Sequence, residues 1–552
     1  MRIERARIGW VLVGLLGLVL VGGSCSIGVF KNGACTSDDG CRTAFGPNYT
    51  CGEDGFCALG SCASTTQCRE ALGLGWACGD DAQCFQPGPH PRCISEPATI
   101  LTNPSQHEDD LIIGSIFDQN DFLLMVRAAR LAVIQVNDRD GLGGRPVGII
   151  ECSNQETADF DALTPEEATV EVGRYMVDQY GVPAIVGPAT SGRSEVAYNA
   201  LAASDVLLIS PSATSPALTS IDGLTSTDDA PGLFWRTAPP DSLQGRVIAQ
   251  QMINVLQVSN VAVINETGAY GEGLAEVFLE HFVGGGRTAE SFPFSSITDL
   301  ATITATVGDP SADFDEVLVI SSQTSDVADF LNAAAGISGY ADMGIFLTDG
   351  ARDSQLLTET AGTAEALYPN IRGTVPAILQ GLVYNAFSAA YTIVYDGEDP
   401  SDFGFSAHAW DAGWLALVGA AWADLQEDSI TGTSIARGLR QISSGPELDL
   451  GPTDWTEIRA NFEMGLPVDV SGASGALNYD DQSGETTAPI FVWAIAASGT
   501  DFVDVDCVDL SGAESLCPDL GNGDDDDATG DDDDATGDDD DATSGDDDDS
   551  AR

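Results

Sequence analysis

The sequence predicts an α/β protein with two lobes, each built on a doubly wound parallel sheet, with a disulfide-rich segment before them and an acidic tail after them. Strand and helix patterns alternate from about residue 110 to residue 498. Such alternation is typical of parallel sheets that are covered by helices on both faces. Regularly spaced cysteines precede this region and runs of aspartate follow it. We therefore expect a small disulfide-bonded segment before the lobes and a polar tail after them.

The alternating region can be divided into elements in order. DLIIGSIF at 110–117 is an apolar strand, residues 122–136 have a helical period, and a capping box that begins at Thr164 predicts a helix to about Tyr180. Later strands are PAIVGP, VLLISP, NVAVINE, DEVLVISS, MGIFLTDGA and the closing APIFVWAIA. Ten or more such units exceed one sheet, so we expect two α/β lobes.

The chain is strongly acidic, with a formal net charge of −64. The stretch after Gly523 holds sixteen Asp and one Arg, which contribute −15, so the rest of the chain carries about −49. Such a field argues against nucleic acid and anionic lipid headgroups as partners. Residues 521–552 are predicted to be a disordered acidic spacer, because they lack apolar residues to bury; calcium capture is the alternative, although no EF-hand spacing is present.

The N-terminus predicts export. Residues 1–24 contain three arginines, an apolar run over 8–21 and small residues before Cys25, an arrangement similar to a bacterial lipoprotein signal, although Gly22 stands where such signals usually have Leu. The alternatives are ordinary signal cleavage nearby or an uncleaved anchor. We expect a protein of the cell envelope that is lipid-anchored through Cys25. Because Ser26 follows the cysteine, we expect the outer membrane or the cell surface rather than the free periplasm.

The cysteine count fits an exported protein. Lipidation of Cys25 leaves twelve of the 13 cysteines, an even number. In the segment 25–99, eight of them form two matching 27-residue repeats: Cys35, Cys41, Cys51 and Cys57, then Cys62, Cys68, Cys78 and Cys84. We expect each repeat to pair internally, in any of three patterns. The remaining candidates are Cys93 with Cys152 and, in the extension 499–520, Cys507 with Cys517. The sequence has no CxxC and its four histidines are scattered, so we expect no metal and no cofactor.

Signatures of catalysis are missing from the sequence. It contains no G-x-S-x-G elbow, no P-loop, no HExxH and no SxxK, and GAYGEG lacks the dinucleotide-binding pattern around it. The chain is therefore not expected to be an enzyme.

Two neighbouring strands end in loops that are rich in Ser and Thr. The first loop carries Ser191 at the start of a helix, and the second carries Ser212 and Thr214. A helix N-terminus presents unpaired N–H groups that suit a carboxylate, and ligands of open α/β sheets bind at the carboxyl ends of strands. Each loop alone reads as an ordinary cap or turn, but the two together favour a binding site.

The chain resembles the leucine/isoleucine/valine-binding family of type I periplasmic binding proteins. The resemblance spans about 110–498, and the motifs that carry it are VGPATSG, LLISPSATSPALT, VNDRDGLGG, AYGEGLAEVF and SGASGALNYDDQSGE. It implies two lobes joined by three crossings that close on an amino acid. Lobe 1 would comprise about 110–238 and 376–472, and lobe 2 about 239–375 and 473–498.

The resemblance also implies roles for individual residues. Ser191 and Thr214 match side chains that hold the ligand carboxylate, and Ser212 matches a backbone contact. Asp349 stands where the family places an acidic residue for the ligand ammonium, and Tyr270 matches a tyrosine at the cleft. Two loops depart towards polar residues, 117–121 after the first strand and Gln323 with Thr324 in the second lobe, which argues against a branched-chain aliphatic ligand.

The expected function is therefore an extracytoplasmic solute-binding lipoprotein. It would capture an amino acid or a similar small polar solute by lobe closure and deliver it to an ABC permease. The alternative is a surface sensor of the same fold without transport, which the cysteine repeats and the acidic tail favour.

Overall fold

The structure is a computed structural model that describes residues 34–46, 48–156, 161–223, 227–480, 483–510, 516–518 and 520. The predicted signal segment 1–24, the lipidation site Cys25 and the tail 521–552 lie outside the described residues. The chain divides into two compact units, one ending at Pro87 and one beginning at Gly88. Within the described ranges, no helix has the length and apolar character needed to cross a membrane.

The first unit consists of two repeats, each made of a short helix followed by a two-stranded hairpin. A serine caps each helix, Ser37 in the first repeat and Ser64 in the second. The elements are α1 (Asp38–Phe45), β1 (Tyr49–Cys51), β2 (Cys57–Leu59), α2 (Thr65–Leu72), β3 (Ala77–Cys78) and β4 (Cys84–Phe85). In each repeat the first cysteine pairs with the third and the second with the fourth: Cys35–Cys51, Cys41–Cys57, Cys62–Cys78 and Cys68–Cys84. The disulfides hold each repeat, because a segment this short cannot bury a core.

The second unit contains two large sheets. The first has the strand order β10-β9-β8-β6-β7-β5 and the second the order β12-β11-β13-β14-β15-β18-β19, while β16 and β17 form a small separate pair. The strands are β5 (Cys93–Glu96), β6 (Leu111–Phe117), β7 (Val147–Ser153), β8 (Ala184–Val186), β9 (Leu207–Ser210), β10 (Phe234–Arg236), β11 (Asn260–Glu266), β12 (Thr288–Phe294), β13 (Glu316–Ile320), β14 (Gly344–Leu347), β15 (Ile371–Pro376), β16 (Glu447–Asp449), β17 (Asp469–Ser471), β18 (Ile490–Ile495) and β19 (Phe502–Val508).

Helices surround both sheets, so the predicted α/β architecture is confirmed. They are α3 (Thr99–Thr102), α4 (Leu123–Asn137), α5 (Pro165–Arg174), α6 (Ser191–Leu201), α7 (Asp241–Gln250), α8 (Ala269–Gly284), α9 (Ile297–Val307), α10 (Thr324–Ala334), α11 (Ser354–Thr360), α12 (Leu382–Val394), α13 (Ser406–Gln426), α14 (Gly432–Leu439) and α15 (Trp455–Glu463). We call the first sheet and its helices lobe 1, and the second sheet and its helices lobe 2. Helix α13 is apolar on nearly every face because it is buried among α4, α14 and α15.

Parallel pairing brings the carboxyl ends of the central strands in each lobe to one edge. In lobe 1, β6 pairs in parallel with β7 and β8, and β9 continues the parallel order to β10. In lobe 2, β11 to β15 are parallel in the same way. Strands β6 and β13 are buried on both faces, which explains their continuous apolar, β-branched runs.

Two antiparallel strands extend the sheets beyond the alternating region. Strand β5 lies in the segment that the sequence assigned to the cysteine repeats, yet it pairs with β7 of lobe 1, and Cys93 and Cys152 form a disulfide across this pair. Strand β19 lies in the C-terminal extension and pairs with β18 of lobe 2, and Cys507 bonds Cys517. Each strand adds an antiparallel edge to its sheet, so β5 and β19 are the terminal strands of the two sheets.

The chain crosses between the lobes three times, after β10, after β15 and before β18. The guanidinium of Arg236, at the end of β10, links the first crossing to the third. It donates to the backbone oxygens of Ala213 and Ser215 at 2.9 Å each, to the Thr219 hydroxyl at 2.7 Å, and to both oxygens of Glu485 in the third crossing. Its side chain is only 2% exposed, so the ion pair is almost fully desolvated.

Helix α13 anchors the crossings as well. The carboxylate of Asp411 accepts hydrogen bonds from the backbone N–H groups of Ala473 and Ser474, at 2.7 and 2.8 Å, and from the Ser474 hydroxyl at 2.6 Å. Burial raises the pKa of Asp411 to about 7 despite these donors. The Thr237 hydroxyl donates to the backbone oxygen of His408 at 2.9 Å. The first and third crossings are therefore both hydrogen-bonded to α13 at their lobe 1 ends.

We predict that Glu485→Ala lowers the free energy of unfolding by about 3–5 kcal/mol, because it leaves the Arg236 guanidinium buried without its counter-charge. Urea denaturation with disulfides intact would measure the loss. Asp228→Ala is the matched control, because it breaks the more exposed Arg440–Asp228 ion pair and should cost less than about 1 kcal/mol. Equal losses in the two variants would contradict the role given to Arg236.

Candidate ligand-binding cleft

A small cavity lies where the carboxyl ends of the two sheets face each other. Its volume is about 30 Å³, room for roughly two water-sized spheres. Lobe 1 contributes the loops after β6, β8 and β9, and lobe 2 contributes those after β11, β13 and β14. The lining residues are Phe122, Ala189, Thr190, Ser191, Ser212, Tyr270, Ser322, Thr324, Asp349, Gly350, Phe403 and Phe405. Four of the five predicted ligand residues, all but Thr214, are in this lining.

The two Ser/Thr loops of lobe 1 are bonded to each other. Ser191 is the first residue of α6, and its hydroxyl accepts the backbone N–H of Ser215 at 3.1 Å. The Ser212 hydroxyl donates to the backbone oxygen of Ala189 at 2.9 Å. Thr214 is fully buried behind the lining, and its hydroxyl faces the Asp241 carboxylate without a well-formed hydrogen bond. Thr190 and Ser191, at the N-terminus of α6, line the cavity, and a helix N-terminus presents N–H groups that suit an anion.

The acidic side of the cavity is formed by Asp349, which follows β14 and is 4% exposed. Its carboxylate accepts hydrogen bonds from the Tyr270 hydroxyl and, at 3.1 Å, from Nε2 of Gln244. The same Gln244 nitrogen donates to the Thr374 hydroxyl at 3.0 Å. Burial raises the pKa of Asp349, and the donors from Tyr270 and Gln244 oppose that effect. No cationic side chain within the described part of the chain forms an ion pair with Asp349.

Sequence reasoning missed two members of this cluster, Asp241 and Gln244. Asp241 is the first residue of α7 and is fully buried, and burial followed by the negative charge of Asp349 raises the pKa of its carboxyl far above the usual range. Gln244 lies one helical turn later on the same face. In the sequence, PPDSLQG looks like an ordinary helix start, because Asp is common in the first turn of exposed helices.

The mouth of the cleft is polar where the two loops depart from the family pattern. Asp118 lies 3.7 Å from the Arg193 guanidinium. Burial, and then the charge of Asp118, raise the pKa of Asp121 to about 6. On lobe 2, the Thr324 hydroxyl donates to the backbone oxygen of Gly350 at 3.1 Å and lines the cavity.

Among the described residues, the only groups of three or more candidate metal ligands are the disulfide-bonded cysteines of the two repeats. In the cleft, backbone and hydroxyl groups from lobe 1 face a buried carboxylate from lobe 2.

The periplasmic binding protein family model matches residues 119–468, which is well over half of the chain. Among curated proteins, the Leu/Ile/Val-binding protein BraC3 of Rhizobium johnstonii is 34% identical over 160 residues, 29% of this chain and 39% of that protein. The substrate-binding protein BasB of a chemotactic signal transduction system in Halobacterium salinarum is 23% identical over 351 residues, 63% of this chain and 76% of that protein. The match to BraC3 thus spans about two fifths of that relative's length.

Solved structures of the same fold include two binding proteins. The branched-chain amino acid transporter substrate-binding protein LivJ of Streptococcus pneumoniae, in complex with isoleucine, is 21% identical with a TM-score of 0.53, covering 72% of this chain and 100% of that one. The leucine-binding protein LivK of Thermotoga maritima is 16% identical with a TM-score of 0.55, covering 72% and 99%. At these identities the likeness concerns the fold.

The family match covers every residue that lines the cavity, and the solved structures of LivJ and LivK share the fold of this chain. Membership makes this chain a binding protein and not an enzyme. The chain belongs to the periplasmic binding protein family, among members of the leucine/isoleucine/valine-binding type.

Proposed function

We propose that this protein captures an amino acid or a similar small zwitterionic solute in the cleft and delivers it to an ABC permease. The observation that carries the proposal is the buried Asp349 carboxylate, which has no cationic partner among the described residues and faces the N-terminus of α6 across the cavity. A desolvated zwitterion needs an anion for its ammonium and donors for its carboxylate. The cleft supplies both, on opposite lobes.

The ligand carboxylate is assigned to lobe 1. Ser191 and Ser212 line the cavity, Ser191 with its hydroxyl and Ser212 as a proposed backbone contact, and the positive end of the α6 dipole favours a carboxylate beside them. Thr214 is retained as a proposed contact because its hydroxyl has no well-formed hydrogen bond. On lobe 2, Asp349 would take the ammonium, and Tyr270 would hold Asp349 in position.

Ligand entry requires the lobes to separate. The cavity of about 30 Å³ is too small for most amino acids, and the Ser215 hydroxyl of lobe 1 donates to the backbone oxygen of Ala269 of lobe 2 at 2.6 Å. Because donors and carboxylate lie on different lobes, a zwitterion would stabilise the closed form over the open form.

A thermal-shift panel of the twenty L-amino acids, their amides, small peptides and urea-like solutes tests the proposal. A solute present at about 100 times its dissociation constant should add roughly 2.7 kcal/mol of stability. For the amino acid with the largest shift, Asp349→Asn should weaken binding roughly 30- to 3,000-fold by calorimetry, because it removes the counter-charge of a buried ammonium.

Asp342→Asn is the matched control, since it removes an exposed carboxylate at the other end of β14 and should leave affinity unchanged. If Asp349→Asn binds within twofold of wild type, the bound group is not an ammonium, and the amino-acid assignment is wrong.

A sensor of the same fold is the second candidate. The similarity to BasB, whose description places it in a chemotactic signal transduction system, favours it, as do the cysteine repeats added before the binding domain. Permease and ATPase genes beside this gene would favour transport, and their absence together with a receptor gene would favour sensing.

We also propose an extracytoplasmic location with a lipid anchor at Cys25. Six disulfides within the described residues fit an oxidising compartment, and the cysteine that remains is the one in the lipoprotein-like signal. Metabolic labelling with a palmitate analogue should mark the wild type and not Cys25→Ala. Equal labelling of both proteins would rule out the anchor.

A further inference from the structure

The carboxyl group of Asp241 is the most unusual buried group near the cleft. It is 0% exposed, and neither of its oxygens has a well-formed hydrogen bond within the described part of the chain. Its backbone N–H donates to the Thr214 backbone oxygen at 2.8 Å, which fixes the start of α7 against the second ligand loop. The Oε1 atom of Gln244 and the Thr214 hydroxyl are also buried without well-formed bonds. Several buried oxygens that can accept hydrogen bonds therefore lie together, and among the described residues the Thr214 hydroxyl is the side-chain donor that acts on the Asp241 carboxylate.

Among the described residues, the charged and titratable groups around Asp241 include no cation that forms an ion pair with it. Asp349, after β14, adds a second negative charge, and the Tyr270 hydroxyl on α8 already bonds Asp349. Arg236, at the end of β10, is the positive group that acts on Asp241. Its guanidinium is bonded to Glu485, to two backbone oxygens and to a threonine hydroxyl. It therefore makes no direct ion pair with Asp241.

A single proton bound to one of the two carboxyl groups, Asp241 or Asp349, would remove the repulsion between them. Two ionised carboxylates in one desolvated pocket repel each other, and the free energy is lower when one of them is neutral. A protonated Asp241 becomes a donor, and the acceptors nearby are Oε1 of Gln244 and the Thr214 hydroxyl. The Nε2 group of Gln244 is already committed to Asp349 and Thr374, so Oε1 is the end of the amide that needs a partner.

We propose that Asp241 carries a proton at neutral pH and is a positioning residue for the ligand-cation site: its O–H holds the Gln244 amide, which in turn orients the ionised Asp349. The role towards a ligand rests on the proposed function, whereas the proton on Asp241 does not. Together, Asp241 and Asp349, which form the floor of the cleft, then carry one negative charge instead of two. This charge suits a solute that places a single ammonium there and does not suit a metal dication or a diamine.

The direction of the pKa shifts supports this assignment of the proton. Burial raises the pKa of both carboxyls. Donors from Tyr270 and Gln244 counter the effect at Asp349, whereas at Asp241 the Thr214 hydroxyl and the charge of Arg236 oppose it and the pKa still lies well above the usual range. The neutral form is thus favoured at Asp241, and the charged form at Asp349.

The test compares the full-length wild type with Asp241→Asn and Asp349→Asn by urea denaturation between pH 5 and pH 8, without any ligand. A carboxyl whose pKa is raised by folding contributes stability at low pH that is lost as pH rises from about 4 towards the folded pKa. Asp241→Asn removes this loss. The unfolding constant of wild type divided by that of Asp241→Asn should therefore rise by up to tenfold per pH unit.

Asp349→Asn serves as the matched control, because Asp241 keeps its proton in that variant. The ratio of wild type to Asp349→Asn should change little over the same pH range. A flat ratio for Asp241→Asn would overturn the proposal, since Asp241 would then be ionised in the folded state. The reverse pattern, with pH dependence lost only in Asp349→Asn, would place the proton on Asp349 and overturn it equally.

Two further readouts separate positioning from packing. The infrared C=O stretching band of a protonated buried carboxylic acid should appear in the wild type minus Asp241→Asn difference spectrum at pH 7.5. Asp241→Asn should melt higher than Asp241→Ala at every pH, because the Asn amide can still donate to Gln244. Since no solute is used, failure here leaves the proposed function standing, and an inactive solute panel leaves this proposal standing.

Discussion

The buried guanidinium of Arg236 is the interaction on which the cleft depends. It holds the backbone oxygens of Ala213 and Ser215 in the second ligand loop, and it pairs with Glu485 in the third crossing. The Tyr479 hydroxyl donates back to the Arg236 backbone oxygen at 3.0 Å. A buried ion pair is stable only when its remaining donors are satisfied, and here each contact is also a structural link. The ligand loop and the hinge therefore cannot move independently.

The charge balance of the cleft follows from the same constraint. Because the Arg236 guanidinium is bonded to Glu485 at the hinge, it acts on Asp241 only at a distance and forms no ion pair with Asp241 or Asp349 among the described residues. One is balanced by a proton in our account, and the other is left for the solute. A solute with one ammonium and one carboxylate would then bind the carboxylate of lobe 2 and the donors of lobe 1 at the same time. Because both interactions form only when the lobes are together, the solute would stabilise the closed form.

Much of the fold could be predicted from the sequence, because its signals are local. Runs such as DEVLVISS and capping patterns such as that at Thr164 specify strands and helix starts within a few residues. The pairing of β5 and β19 with distant strands could not be predicted, since edge pairing depends on which edge is left open. Asp241 was missed for a similar reason: its distinguishing property is complete burial beside Asp349, and the two residues are far apart in sequence.

A crystal structure with the amino acid that gives the largest thermal shift would test the central claim most directly. We expect its ammonium nitrogen within hydrogen-bond distance of the Asp349 carboxylate, and its carboxylate at Ser191 and the N-terminus of α6. The lobes should be closed over it, with the Arg236–Glu485 pair intact. A solute bound outside this cavity, or one that places an uncharged group against Asp349, would contradict the account.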